Sequence, residues 1–207
     1  GWASVLAGAN LSGSADGATT AQLCYADIGT SFGDPTYYCY RAYLPFDLAA
    51  LAGATITAAT LNVYVSAKDI SNGGLSSTLY VVSSSQASVS SLATSDWSKG
   101  STSFCDTQPS VSGLSTGAYT SFALNASGLA ALTPGGTAKL AIINNHDFTA
   151  TTPAGTPIFS PSTYDSATFQ TSEGTNKPYL PITYTMPAGG LNPRRDKALL
   201  PLYSFDG

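Results

Sequence analysis

The residues whose types and spacing could do chemistry are few and scattered. Gly113-Leu114-Ser115-Thr116-Gly117 satisfies G-x-S-x-G, which in hydrolases lifts a nucleophilic Ser onto a strained turn between strand and helix. The context argues against it. The motif runs into a strand pattern, lies in a Ser/Gly-rich stretch, and has no Asp or Glu between Ser115 and His146 to complete that order of residues. His146 is the only histidine, and Asp147 follows it. Neighbours at a strand end point apart, so a loop histidine with a local hydrogen bond is preferred over an acid–base pair. Glu173 is the only glutamate, and a glycosidase needs two carboxylates facing one bond. Capping or calcium ligation suits it better, and no residue is assigned a catalytic role.

Asp27, Asp34, Asp147 and Asp165 are oxygen donors in expected loops, but no dense D-x-D-x-D loop groups them around a calcium ion. No C-x-x-C or Cys/His spacing suggests zinc. No cofactor is therefore assigned, and a structural calcium would have no site that the sequence locates. Cys24, Cys39 and Cys105 are an odd count, so at most one intramolecular disulfide forms, with three pairings open and buried free thiols as the alternative. Sugars bind on exposed aromatic faces, and this chain has 12 Tyr and 2 Trp. Tyr43, Tyr64 and Tyr179 are out of phase with the apolar neighbours Leu44, Val63 and Leu180, which makes them the candidates for a glycan-binding patch. Coverage by a second subunit would leave the same pattern.

The elements that must position these residues centre on 40–65, two strands joined by a tight corner. Tyr40, Ala42, Leu44 and Phe46 alternate with Arg41, Tyr43 and Pro45, the period of a strand with one buried face. Leu48 and Leu51 cap the corner. Ala59, Leu61, Val63 and Val65 then share a face opposite Thr60, Asn62 and Tyr64, with Ile56 out of register, so a bulge is expected near Thr57 and Ala58. Asn72-Gly73-Gly74 predicts a tight reversal between strands at 59–66 and 78–83. Residues 20–29 suit a strand, and SFGDPTYY after them a loop. Residues 83–117 are too long for a plain hairpin connection and need anchoring by Trp97, Phe104 and Cys105. A strand at 118–124, Asn125 as N-cap of a helix at 126–132, the stop Pro134-Gly135-Gly136 and a strand at 137–143 follow. Asn144 to Thr163 reads as a polar loop. The predicted core is Leu44, Phe46, Leu61, Val63, Val65, Phe122, Leu124, Leu140, Ile142, Leu180 and Ile182.

Three segments carry a family resemblance. R-x-x-L-x-F-D-L…G-A-T-I-T-x-A-T-L-x-V-Y within 40–65 resembles the opening hairpin of DNRLRE-type (disaggregatase-related) β-sandwich domains, and FQTSEGTNKPYLPITY at 169–184 resembles their closing strands. TSFALNASGLAALTPGGTAKLAII at 120–143 is similar to the strand, helix and strand of members in phage tail and virion proteins. The resemblance spans roughly residues 36–185 and implies a fold more than a function, since such domains serve as attachment, carbohydrate-binding and structural modules.

At 207 residues and 43% hydrophobic content the chain suits one large domain. The expected fold is all-β, a single antiparallel jelly-roll-like β-sandwich with one short helix and extended terminal arms. It divides into an N-terminal arm or lead-in strand at 1–20, the sandwich at 21–186, and a C-terminal docking tail at 187–207. Only 10% of residues are charged, against about 25% in ordinary domains, and the surface must be built from small polar residues. That fits a secreted protein or a subunit covered by neighbours. A net charge of −4 argues against nucleic acid, and no apolar run approaches the ~20 residues that span a bilayer as a helix. Gly1 at the start fits a cleaved leader, a maturation cut or an arbitrary boundary.

The tail changes character: Arg194, Arg195 and Lys197 are three of eight basic residues, and Leu202, Tyr203 and Phe205 lie in its apolar end. Docking on a neighbouring subunit through these six residues is expected, strand addition being one available mode. The preferred function is a non-enzymatic structural protein of a virion or other extracellular assembly, such as a capsid decoration or tail-associated subunit. The alternative is a carbohydrate-binding or adhesive module of a secreted protein.

Overall fold

The structure is a computed structural model that describes residues 2–7, 21–31, 34–71, 75–89, 92–153 and 163–187. It is an antiparallel β-sandwich. Among the described residues, the larger sheet has the order β2 (Asp34–Tyr40), β1 (Ala21–Ser31), β8 (Thr163–Gln170), β4 (Thr55–Ser71) and β6 (Ala118–Ala123), with β9 (Ile182–Thr185) also paired to β4. The smaller has the order β3 (Ala42–Asp47), β7 (Thr137–Asn144) and β5 (Leu79–Ser83). All eleven predicted core residues are buried in one cluster between the sheets. The long 17-residue β4 serves several partners because it bulges: its register with β9 shifts between Ile56 and Ala58, as expected, and its register with β8 shifts between Val65 and Ala67.

The corner inside 40–65 is a 3-10 turn at Ala49–Leu51, started by Asp47 Oδ1 accepting from Ala49 N at 2.9 Å. Leu48 and Leu51 are buried there. The two strands it joins do not form a hairpin: β3 lies in the smaller sheet and β4 in the larger. The reversal expected between β4 and β5 is corrected in the same way, since β5 pairs β7 and not β4. Residues 72–74 lie outside the described residues. Turn chemistry specifies a change of direction, while the partner is chosen by which apolar face finds a core. Arg41 likewise marks a crossing between sheets, from β2 to β3, which is why Tyr40, assigned to the buried face, stands 44% exposed.

The SFGDPTYY stretch is a second departure, because Asp34–Tyr40 is strand β2 on the sheet edge. Pro35 is tolerated where an end strand lacks a second neighbour. Among the described residues there are three short α-helices where one was expected: α1 (Trp2–Leu6), α2 (Ala126–Ala131) and α3 (Asn145–Phe148). α2 is capped as predicted, Asn125 Oδ1 accepting from Gly128 N at 3.0 Å. Asn125 Nδ2 also donates to Ser103 O and Asp106 Oδ1. α3 lies at the start of the expected 144–163 loop and is capped by Asn144. α1 falls in the region expected to be an arm or lead-in strand.

Residues 104–111 of the long 83–117 connection run along the free side of β5, where Phe104 N donates to Val81 O at 2.8 Å and Val111 N to Ser77 O at 2.8 Å. Phe104, Cys105, Val111 and Leu114 join the main core. The outer face of the smaller sheet is covered as well: Tyr43, Val82, Ala141 and Ile143 form a second buried cluster with Tyr80, Leu92 and Phe148. One sheet of this sandwich is therefore apolar on both faces, and the alternation in the sequence understates its burial.

Candidate functional site

Two places gather functional side chains. The first is the outer face of the larger sheet. Along β6, Phe122 points into the core, so Tyr119, Ser121 and Ala123 face out; Tyr119 is the register partner of Tyr64 on β4. Tyr179 enters the same face from the other side of β4, where it and Asn62 exchange backbone hydrogen bonds of 2.9 and 3.0 Å. The rings meet edge to face, Tyr64 to Tyr119 at 5.3 Å and Tyr119 to Tyr179 at 5.1 Å, the arrangement aromatic quadrupoles favour. Tyr119 and Tyr179 remain 40% and 37% exposed. Burial beside its two neighbours raises the Tyr119 phenol above its ordinary value. Its hydroxyl donates to Lys177 O at 3.1 Å. Beneath the rings Asn62 is buried and accepts from Ser121 Oγ at 2.6 Å. The strip is uncharged, aromatic and hydroxylated.

Of the three tyrosines assigned to a patch, Tyr64 and Tyr179 come together. Tyr43 does not: it is 7% exposed, on the smaller sheet, with its hydroxyl donating to Asp96 O at 3.3 Å. It does point away from the main core, but the 92–97 segment and Phe148 cover that face. The central residue, Tyr119, was legible from its parity with Phe122.

The second place lies outside the smaller sheet. Arg41 forms a buried ion pair with Asp147, Nε to Oδ2 at 2.6 Å and Nη2 to Oδ1 at 2.8 Å. Its Nη1 donates to Trp97 O, and its guanidinium lies 3.7 Å over the Trp97 ring. Burial alone would lower the Arg41 pKa; the hydrogen bond and charge of Asp147 outweigh it and raise it. Around the pair is a pocket of about 360 Å³ lined by Leu6, Ala7, Arg41, Ser95, Trp97, Ser98, Lys99, Asp147 and Ala150. Arg41 is the sole arginine before position 194, a scarcity that marks it in hindsight.

The other candidates are spent inside the fold or stand apart. His146 is buried with Nε2 3.1 Å from Leu75 O. A carbonyl only accepts, so that nitrogen carries the proton, and Nδ1 has no partner. The expected loop histidine with a local hydrogen bond is corrected on both counts, because His146 lies in α3 and its partner Leu75 is 71 residues away in the chain. Asp165 accepts from Leu75 N at 2.9 Å and Ser77 N at 2.6 Å. With Asp147 held by Arg41, neither carboxylate faces outward as a calcium ligand. The side chains of Asp27 and Asp34 lie outside the described residues, as does that of Cys24, while Cys105 is a buried thiol. No group of three or more metal-ligating side chains occurs among the described residues. Ser115 is exposed between the turns at 111–113 and 116–117, and Glu173 is exposed and accepts from Ser172 at 3.0 Å. Arg194, Arg195, Lys197, Leu202, Tyr203 and Phe205 all lie outside the described residues. No family model, no curated protein and no solved structure matches this chain.

Proposed function

We propose that this chain is a non-enzymatic structural subunit of a virion or other extracellular assembly, such as a capsid decoration or tail-associated protein. The observation that carries the reading is a division of labour between inside and outside. The groups with acid–base potential, Arg41, Asp147, His146 and Asp165, are turned inward to hold elements together, while the larger sheet presents an uncharged tyrosine strip suited to contact. The low charged fraction of 10% supports it, as does the resemblance of 40–65, 120–143 and 169–184 to DNRLRE-type domains. The tail at 187–207 supplies the link to neighbours, with Leu202, Tyr203 and Phe205 as apolar anchors and Arg194, Arg195 and Lys197 facing an acidic surface. The test is the native mass of the purified chain with and without residues 191–207. A monodisperse oligomer that the truncation dissociates, with the sandwich still folded, supports the reading; a truncated chain that assembles normally removes the tail from it.

A second reading, a carbohydrate-binding or adhesive module, is favoured by the Tyr64–Tyr119–Tyr179 strip, since exposed phenol rings offer apolar faces to sugars without charge. Glycan-array binding lost in Tyr119→Ala would favour it over assembly.

A further inference from the structure

We propose that the pocket around the Arg41–Asp147 pair binds an acidic sugar, a hydroxylated ring carrying a carboxylate, with Lys99 taking the carboxylate and Ser95 and Ser98 the hydroxyls. The proposal does not rest on the assembly reading. It also places sugar recognition outside the smaller sheet, apart from the tyrosine strip on the larger one.

Three segments distant in sequence meet at this pocket: the end of α1 with Leu6 and Ala7, the 95–99 stretch, and the end of α3 with Asp147 and Ala150. Each is fixed by contacts of its own. A five-residue helix does not persist alone, and α1 is held by two indoles, Trp2 Nε1 donating to His146 O at 3.4 Å and Trp97 Nε1 to Leu6 O at 3.1 Å. The 95–99 stretch is tied to the end of β5, where Gly100 N donates to Ser83 O at 2.9 Å, and Ser85 Oγ donates to Ser98 O at 3.0 Å. Arg41 holds the Trp97 carbonyl and the Asp147 carboxylate together. Ala150, just past α3, keeps a left-handed φ of 56°, a conformation that glycine adopts without strain. A pocket built in advance spares the ligand the cost of ordering its walls.

The lining decides the chemistry of the ligand. Arg41 and Asp147 spend their charges on each other, with 2% and 0% of their side chains exposed. Lys99 is left as the uncompensated charge: among the described residues it has no carboxylate partner, and its Nζ lies 5.8 Å from the centre of the Phe148 ring. The pocket therefore carries one net positive charge, which selects an anion. Ser95 and Ser98 are exposed, and among the described residues their hydroxyls make no hydrogen bond. Each hydroxyl both donates and accepts, as sugar hydroxyls do. Phosphate is the poorer fit, because the guanidinium best shaped for it is already committed to Asp147 and Trp97 O. Half-buried Trp97, with Leu6, Ala7 and Ala150, supplies apolar surface for the C–H groups of a ring. A volume of about 360 Å³ stands at the low end of the ~300–1,000 Å³ of small-molecule sites, room for one sugar residue and not for a chain. A free acidic sugar and the acidic end of a glycan share this chemistry.

The test is an NMR titration of the full chain that follows the Trp97 indole N–H, identified with Trp97→Phe, and the Lys99 amide. The probes are methyl glucuronide, N-acetylneuraminic acid, uncharged methyl glucoside and inorganic phosphate. At least one acidic sugar is expected to shift both signals with a dissociation constant on the order of 1 mM, at least tenfold tighter than methyl glucoside or phosphate. Lys99→Gln is expected to weaken it at least tenfold, the loss of one charge-assisted hydrogen bond, with the thermal midpoint of the parent. Binding by the parent is also expected to weaken between ~10 mM and ~500 mM salt, as attraction between exposed charges does. A disaccharide ending in the preferred acidic sugar that binds more tightly than the single residue identifies the end of a glycan as the source; equal or weaker binding identifies the free sugar, and both support the site. No shift with either acidic sugar at ~20 mM, equal binding of methyl glucoside or phosphate, or affinity indifferent to salt overturns the proposal. So does binding that survives Lys99→Gln and is lost in Tyr119→Ala, which would give sugar recognition to the tyrosine strip.

Discussion

Arg41 and Asp147, 106 residues apart in sequence, meet in a two-bonded ion pair with 2% and 0% of their side chains exposed. The pair ties the crossing from β2 to β3 to α3, and Trp97 closes it from outside. Removing one partner leaves the other charge buried and unpaired. Asp147→Leu or Arg41→Met alone is expected to cost about 3–5 kcal/mol, while the double substitution is expected to be near neutral or stabilising, because desolvation offsets the attraction. Urea unfolding of the four proteins in a double-mutant cycle measures this. Additive losses would show that the two residues act independently.

Tyr43 sets an alkaline limit. Burial raises its phenol above the ordinary value, against the opposing pull of Arg41. The folded chain therefore holds this proton more tightly than the unfolded chain. Its contribution is complete below the unfolded phenol pKa of about 10 and is lost as pH rises from there through the folded value. Stability is expected to fall above about pH 10, less steeply in Tyr43→Phe. Identical slopes for the two proteins from pH 9 to 11 would count against this account.

Leu61 is fully buried in the main core. Leu61→Ala is expected to destabilise by about 2–5 kcal/mol, the cost of lost transfer energy plus the cavity left behind. Chemical denaturation checks it, and a loss within about 0.5 kcal/mol, typical of surface positions, would place Leu61 outside the core.

Gly128 sits inside α2, where alanine is ordinarily better by about 0.8–1 kcal/mol. Here a Cβ would lie 2.7 Å from Phe104 O and 3.0 Å from Phe104 Cβ, since α2 packs directly on the 103–105 segment. Gly128→Ala is expected to destabilise by about 1–3 kcal/mol through overpacking. A thermal midpoint equal to or above that of the parent would mean the two backbones are not held this close.

What the sequence determined by itself is whatever depends on one strand or one turn. Period-2 alternation placed all eleven core residues inward, since each side chain's face follows from parity along its own strand. The mismatch of Ile56 announced the bulge in β4, and Asn125 announced the cap of α2, because both are matters of a few consecutive residues. Parity also pointed Tyr64 and Tyr179 outward, and it held Tyr119 as well, their centre. Tertiary structure alone decided which strands pair and what lies beyond each outward face. β3, β4 and β5 follow one another through turns that look like hairpins, yet the chain changes sheet at each, because closing a sandwich buries more apolar surface than pairing neighbours would. Tyr43 and Arg41 have the parity of exposed residues and are buried because the 92–97 segment and α3, distant in sequence, fold over them. Neither an ion pair spanning 106 residues nor a helix held by two indoles leaves a local signature, since both are set by distances that exist only once the sheets have closed.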